Sequence, residues 1–345
     1  SSSVRFRAQL ADVERERQVE AWLADVQQKV SQAERILGLA ADAGEDLTVP
    51  AVRRLPRDYS ERMSGLSPVR QGEEAAALER IRLALGDTPI DDLSALLGRQ
   101  GVLVWGRLSE ADPPLDGLSF FDSVDRPMIF HFSRSDRGAL ASYRWRFTIA
   151  HELGHLLFDF PSYERNAVAD VEVVTAGGAV PEQRANAFAA ALLMPREGLR
   201  SELEQLGWKF GQPINPHWLL HLQLMFRVSY TALGFRLRNL GWLGPDSWEQ
   251  LSRVQPQVAA TVLGLDPYSA VPQFQASSRG WVIPAQLTSL ALRAFQNQQV
   301  SLEVLAEFMD MDVANARRLT RELQIAPGSL AADVEALRHR RPARS

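Results

Sequence analysis

The stretch Arg146-Phe-Thr-Ile-Ala-His151-Glu152-Leu-Gly-His155-Leu-Leu-Phe158 decides how this chain is read. In a helix, residues four apart lie on one face, one turn from each other. The imidazoles of His151 and His155 then point at one ion, and zinc is the metal that takes such nitrogen ligands most often. Glu152 stands next to the first ligand, where its carboxylate reaches a water at that ion. It is placed to take a proton as the water attacks a carbonyl and to pass it to the leaving amine. Ile149, Ala150, Leu153, Leu156, Leu157 and Phe158 make the rest of the segment apolar, which predicts a buried helix over 143–160. Ionisable groups in such surroundings are costly unless they are paired or bound to metal. Gly154 lowers helix stability, so its presence predicts that another element approaches closely there. A five-residue pattern also occurs by chance; two His and a Glu inside an apolar helix are a stricter coincidence.

A catalytic zinc takes three protein ligands and keeps one position open. The chain has no cysteine, so the third ligand is a carboxylate or another imidazole. Downstream, Pro181-Glu182-Gln-Arg-Ala-Asn186-Ala-Phe-Ala-Ala-Ala-Leu-Leu-Met-Pro195 reads as a second apolar helix from about 182 to 194, stopped by Pro195. Glu182 lies in its first turn, where a carboxylate is also favoured by the helix dipole alone. Asp159, Asp170 and Glu172 compete on chemistry. Asp159, four residues past His155, suits a hydrogen bond to that ligand from behind. Manganese or iron would accept the same nitrogen and oxygen donors as zinc.

Length and composition fit several compact units. The chain has 345 residues, 46% of them hydrophobic and 23% charged, which is ordinary for a globular protein with a sizeable core. A net charge of −4 gives no overall pull toward nucleic acid or membrane. No apolar run reaches the roughly 20 residues that span a bilayer, and the first residues lack a secretory pattern. The expectation is a cytoplasmic protein with no membrane partner.

Residues 1–65 read as a charged N-terminal helix (5–39) and a linker (40–58), the helix being a solvated amphipathic one rather than a basic arm for DNA. Residues 66–200 hold helices at 72–86 and 90–98, strands at 101–105, 117–121 and 128–132, the two apolar helices and a helix at 196–206. Pro127 before the third strand suggests a sheet edge. Residues 201–243 form a helical pair, 216–226 and 230–239, turning at Val228-Ser229. Residues 244–345 begin with turns and short elements to 283, followed by helices at 284–298, 301–309 and 312–323 and a basic tail. The fold class is α+β, mostly helical, with a small sheet.

Several blocks in order resemble the ImmA/IrrE family of bacterial metallopeptidases. They are the R-x-x-L-A-L-G-D-T-P-I block ending at Ile90, the Gly101-Val-Leu-Val strand, and Arg146-Phe-Thr-Ile-Ala-His-Glu-Leu-Gly-His155. Glu182-x-x-Ala-Asn-x-Phe-Ala-x-x-Leu-Leu-Met-Pro195 and Val228-Ser-Tyr-Thr-Ala-Leu-Gly-Phe-Arg-Leu237 follow. The resemblance covers roughly 73–243. It implies a minimal zincin-like fold, Glu182 as third ligand, and a zinc endopeptidase that cleaves a helix-turn-helix repressor at one site. Such cleavage would release stress, prophage or mobile-element genes. In many members a DNA-binding helix-turn-helix domain comes first; Val4-Arg-Phe-Arg and the helix after it resemble the connector that follows it, and no such domain precedes it in these residues.

Two segments have helix-turn-helix spacing, 218–239 and 300–319. In the second, Ala306 sits where two helices would cross. Arg317, Arg318 and Arg321 could meet phosphates or a partner, although Glu303, Glu307, Asp310 and Asp312 flank it with the wrong charge for DNA. His217 and His221 are also four apart, with no glutamate following the first. His131, in the presumed edge strand, and Tyr163 are possible substrate or supporting residues. Tyr143, Trp145, Arg146 and Tyr163 are possible oxyanion stabilisers. The alternative to a peptidase is a DNA- or protein-binding regulator whose metal site is structural or vestigial.

Overall fold

A computed structural model describes residues 3–6, 13–42, 63–109, 113, 115–122, 126–134, 138–159, 170–173, 179–254, 264, 280–323 and 325. In chain order the elements are β1 (Ser3–Phe6), α1 (Val13–Asp42), α2 (Pro68–Arg82), α3 (Leu93–Gly98), β2 (Leu103–Ser109), β3 (Gly117–Phe121), β4 (Pro127–Arg134) and α4 (Gly138–Phe158). They continue with β5 (Asp170–Val173), α5 (Ala179–Leu193), α6 (Arg196–Gln205), α7 (Pro216–Phe226), α8 (Tyr230–Asn239), α9 (Pro245–Ser252), β6 (Gly280–Val282), α10 (Ala285–Gln296), α11 (Leu302–Phe308) and α12 (Val313–Glu322). The α+β, mostly helical, zincin-like fold is the one the sequence implied.

A four-stranded mixed sheet in the order β3-β4-β2-β6 organises the molecule. β4 runs parallel to β2 and antiparallel to β3, and β6 adds antiparallel to the far side of β2. Strand residues alternate between faces. Val104 and Ile129 enter one core with α4 and α5. Leu103, Trp105, Leu118, Phe120, Met128, Phe130 and Phe132 enter a second core on the opposite face. There Trp105, Phe130 and Phe120 stack across three strands, with centroids 5.8 and 5.7 Å apart, as register pairs Trp105 with Phe130 and Phe120 with Met128.

The structure corrects the sequence expectation for the sheet edge. β4 is an inner strand and β3 is the edge. Pro127 is the first residue of β4, a position where the missing N–H breaks no essential ladder bond. The region 244–283, expected to hold turns and short elements, contains the eight-residue α9 and the strand β6. Three-residue β6 has no periodicity of its own and exists because β2 offers it a partner.

α1 begins at Val13 rather than near residue 5, and Ser3–Phe6 instead pairs in parallel with β5. Its Val19, Leu23, Val26, Ala33, Ile36, Leu37 and Ala40 are buried in the second core beside Leu287, Leu290 and Phe295 of α10. Residues from both ends of the chain therefore share one core. The Arg107 guanidinium helps hold them, lying 4.2 Å from the Trp22 ring and 5.3 Å from that of Trp281 and pairing with Asp25. The helices α6 to α9 instead join the first core, through Leu199, Leu203, Leu219, Phe226, Leu233 and Leu251. No helix among the described residues is long and apolar enough to cross a membrane.

Candidate metal centre

The site is built where α4 crosses α5. At the crossing, a Cβ on Gly154 would stand 3.2 Å from both Ala185 Cα and Phe188 Cδ1. The glycine predicted to admit a neighbour thus admits α5. That approach brings the first turn of α5, with Glu182, opposite the two histidines of α4. His151 and His155 lie with their Nε2 atoms 3.0 Å apart. Glu182 reaches both, Oε2 at 3.3 Å from His151 Nε2 and Oε1 at 3.3 Å from His155 Nε2.

The outer nitrogens of both rings are occupied. His151 Nδ1 meets Asn186 Oδ1 at 3.1 Å, and His155 Nδ1 meets Asp159 Oδ2 at 2.6 Å. Each partner is an acceptor, so each Nδ1 carries a hydrogen and each Nε2 is turned inward, where its lone pair becomes available once a cation displaces the proton shared with Glu182. Two imidazole lone pairs and a carboxylate therefore converge on one point. Such a donor set fits a divalent cation, and His151, His155 and Glu182 are the residues that would hold it. Among the described residues they are the only cluster of this kind.

The electrostatics agree. Burial pulls the His155 imidazolium down, but hydrogen bonds to Asp159 and Glu182, with the Glu152 charge, outweigh it and push the group up to about 10. Glu182 is held far below the usual carboxylate range by its hydrogen bonds with His151 and His155. The centre is thus arranged to hold positive charge where the two Nε2 atoms meet.

Glu152 stands beside the ligands on α4 and lines the same cleft as His151 and Glu182. Its carboxyl is raised by burial, opposed by the charge of His151 and by a hydrogen bond from Ser119. Ser119 Oγ donates to Oε2 at 2.6 Å. Strand alternation explains the contact: Ser119 pairs with Ile129, whose side chain enters the α4-side core. Two residues earlier a Cβ on Gly117 would lie 2.6 Å from Glu152 Oε1 and 2.6 Å from Thr148 Cγ2. Only a glycine lets the edge strand β3 pass this close. A cleft of about 790 Å³ opens here, lined by Gly117, His151, Glu152 and Glu182 and closed at its far end by α8.

The structure distributes the other sequence candidates as follows. Asp159 does stand behind His155, and its second oxygen pairs with Arg184 of α5. Arg184 lies 4.6 Å over the Phe158 ring and donates to Gln71 Oε1 at 3.2 Å. His131 is only 4% exposed. Inner strand β4 buries it against Trp145, ring centroids 4.9 Å apart, and its imidazole is pushed down to about 3 by burial. It does not line the cleft, because its ring is packed between the sheet and Trp145 of α4. Tyr143 and Trp145 are buried and Arg146 donates to the carbonyls of Ile90 and Asp91; none of the three lines the cleft. Asp170 and Glu172 lie on β5, and Tyr163 lies outside the described residues. His217 is exposed, and His221 sits 3.8 Å from Glu202. Arg317, Arg318 and Arg321 are exposed on α12, where Arg318 meets Asn315 and Glu322.

Ser119, Arg184 and the role of Asn186 were missed. Asn186 was legible in principle, since it follows Glu182 by one helical turn. Ser119 was not, because only strand pairing carries it to Glu152.

Residues 137–238 match the model of the IrrE N-terminal-like domain, Peptidase_M78. This stretch is a domain of that family. The matched range runs from α4 into the last turn of α8, so both ligand-bearing helices of the IrrE N-terminal-like domain fall inside it, and so does the α7–α8 pair. Strands β2 to β4, which carry Ser119 and Gly117, lie before it. The domain is of metallopeptidase type, and its His151, His155 and Glu182 cluster suits a metal. No curated protein matches the chain significantly.

Proposed function

We propose that the chain is a zinc-dependent endopeptidase that cuts a protein partner, a helix-turn-helix transcriptional repressor, at a specific site. One observation carries the peptidase reading. His151, His155 and Glu182 converge as one donor set, and His151 and Glu182 of that set line the same cleft as a buried, hydrogen-bonded glutamate, Glu152. A structural metal site has no use for such a base and no need of a cleft. Zinc is favoured by the two imidazoles and one carboxylate, and manganese or iron suits the same set.

A metal bound by these residues would supply Lewis acidity to the scissile carbonyl. The chain's own groups do the rest. Among the described residues β3 is the outermost strand of the four-stranded sheet on this side, a place where an extended substrate backbone can add hydrogen bonds, and Gly117 brings that strand beside Glu152. Burial raises the Glu152 carboxyl and makes it a stronger base, while Ser119 fixes Oε2. Oε1 takes the proton of the attacking water and delivers it to the departing amine nitrogen. Asn186 and Asp159 hold the two imidazoles in the tautomer that points Nε2 inward.

The repressor rests on the family resemblance. Its test is incubation of the metal-loaded protein with the repressor encoded beside it, followed by intact-mass measurement. One cut that chelation abolishes and zinc restores supports the reading. An intact repressor beside a metal-loaded protein that cuts other chains rejects it.

A further inference from the structure

The second helix of the α7–α8 pair has the spacing of a DNA-reading helix, yet it forms the far wall of the catalytic cleft. Thr231, Ala232, Phe235 and Asn239 all face that cavity. We infer that α8 is a substrate-selecting surface, with Phe235 forming a subsite for a large apolar side chain of the substrate. The inference rests on the peptidase reading and deepens it.

Three observations support it. First, Phe235 is 49% exposed, a large ring left open to a cavity although α8 buries Leu233 and Leu237 fully. Second, it is held in place. Its ring lies 5.8 Å from that of Trp248, and Trp248 presses on α8 so closely that a Cβ on Gly234 would meet its ring at 2.0 Å. Tyr230 stacks on the same indole at 6.2 Å. A rigid aromatic wall loses little conformational entropy when a ligand packs on it. Third, α5 contributes the small apolar residues Ala187 and Ala190 to the same cavity, and Ala232 stands one turn before Phe235 on α8; all three leave room for a partner side chain.

Distance along the cleft sets where that side chain falls. α5 lines the cavity from Glu182 to Ala190. At about 1.5 Å per residue, that span is roughly 12 Å. An extended peptide advances about 3.3 Å per residue, so the selected residue lies about three or four positions from the scissile bond. The placement also commits α8 to the cleft, where a groove-bound DNA duplex would displace the substrate.

The test uses the full-length, zinc-loaded protein and a random-sequence peptide library. Wild type is assayed for cleaved products, and Glu152→Gln for retained peptides, both sequenced by mass. The expected result is enrichment of Leu, Met or Phe at one fixed position, about three or four residues from the cut. Phe235→Ala should reduce the ratio of kcat/KM between a Leu and a Ala substrate at that position about tenfold. Phe235→Leu should retain most of it. Cleavage with no preference there, or a preference unmoved in Phe235→Ala, overturns the inference alone. Selective retention without any cleavage overturns the peptidase reading alone. A zinc-loaded protein that neither retains nor cuts any peptide overturns both.

Discussion

Replacing Asp159 should weaken the metal centre although Asp159 touches no metal. Its Oδ2 accepts from His155 Nδ1 at 2.6 Å, and its other oxygen pairs with Arg184. In Asp159→Ala the imidazole loses the acceptor that fixes its tautomer and raises its basicity, while Arg184 keeps Gln71 and the Phe158 face. Loss of such a supporting carboxylate typically costs 10- to 100-fold in metal affinity, about 1.4–2.7 kcal/mol. Competition with a chromophoric chelator measures this directly. Unfolding gives an independent reading. With metal at about 100 times the wild-type Kd, binding stabilises the wild type by about 2.7 kcal/mol. A tenfold weaker site leaves about 1.4 kcal/mol, and a hundredfold weaker one about 0.4 kcal/mol. Comparing unfolding without metal separates the loss of affinity from any loss of fold stability. Asp159→Asn should fall between, since its one carbonyl oxygen can serve His155 or Arg184 but not both. An Asp159→Ala affinity within threefold of wild type would refute the tautomer argument.

Three further outcomes follow from the packing. Gly154→Leu should force α4 and α5 apart, costing roughly 1–3 kcal/mol of stability and removing Glu182 from the metal, seen as lower melting temperature and lost zinc stoichiometry. His131 should make the protein acid-sensitive. It stays neutral when folded, down to about 3, whereas the unfolded side chain protonates near its usual value of about 6.5. Stability from this group is therefore complete above about pH 6.5 and falls as pH drops toward 3, by about 2.7 kcal/mol at pH 4.5. His131→Gln should flatten the pH dependence of urea unfolding by that amount, and an unchanged slope would show that the imidazole is not buried neutral. Arg107→Ala should remove two cation–π contacts and the Asp25 pair, destabilising the second core by about 1–2 kcal/mol in calorimetry with metal affinity unchanged.

The metal helix was legible because all of its information is local. Spacing of four places His151 and His155 together, apolar neighbours bury them, and Gly154 announces a crossing helix. Glu182 needed the resemblance, since spacing alone left Asp159 in contention; the structure gives each a distinct place, Glu182 facing the two inner nitrogens and Asp159 behind His155. What stayed hidden depends on pairing across the chain. β4 reads as an edge from Pro127, but its neighbour β2 lies more than twenty residues earlier and leaves it inside. β6 is too short to show a period and is defined by β2 alone. His131 moved from cleft to core for the same reason, and Ser119 reached Glu152 through strand register. Phe235 sits in a helix whose pattern suggests DNA binding, and only the tertiary arrangement turns that face toward the cleft.

The most direct test compares wild type with Glu152→Gln at equal metal content, assayed on the neighbouring repressor. The account predicts one zinc per chain in both proteins, cleavage by the wild type, and a rate lower by about 10²–10⁴ in the variant. Equal zinc content with undiminished cleavage by Glu152→Gln, or a zinc-loaded wild type that cuts no protein, would contradict it.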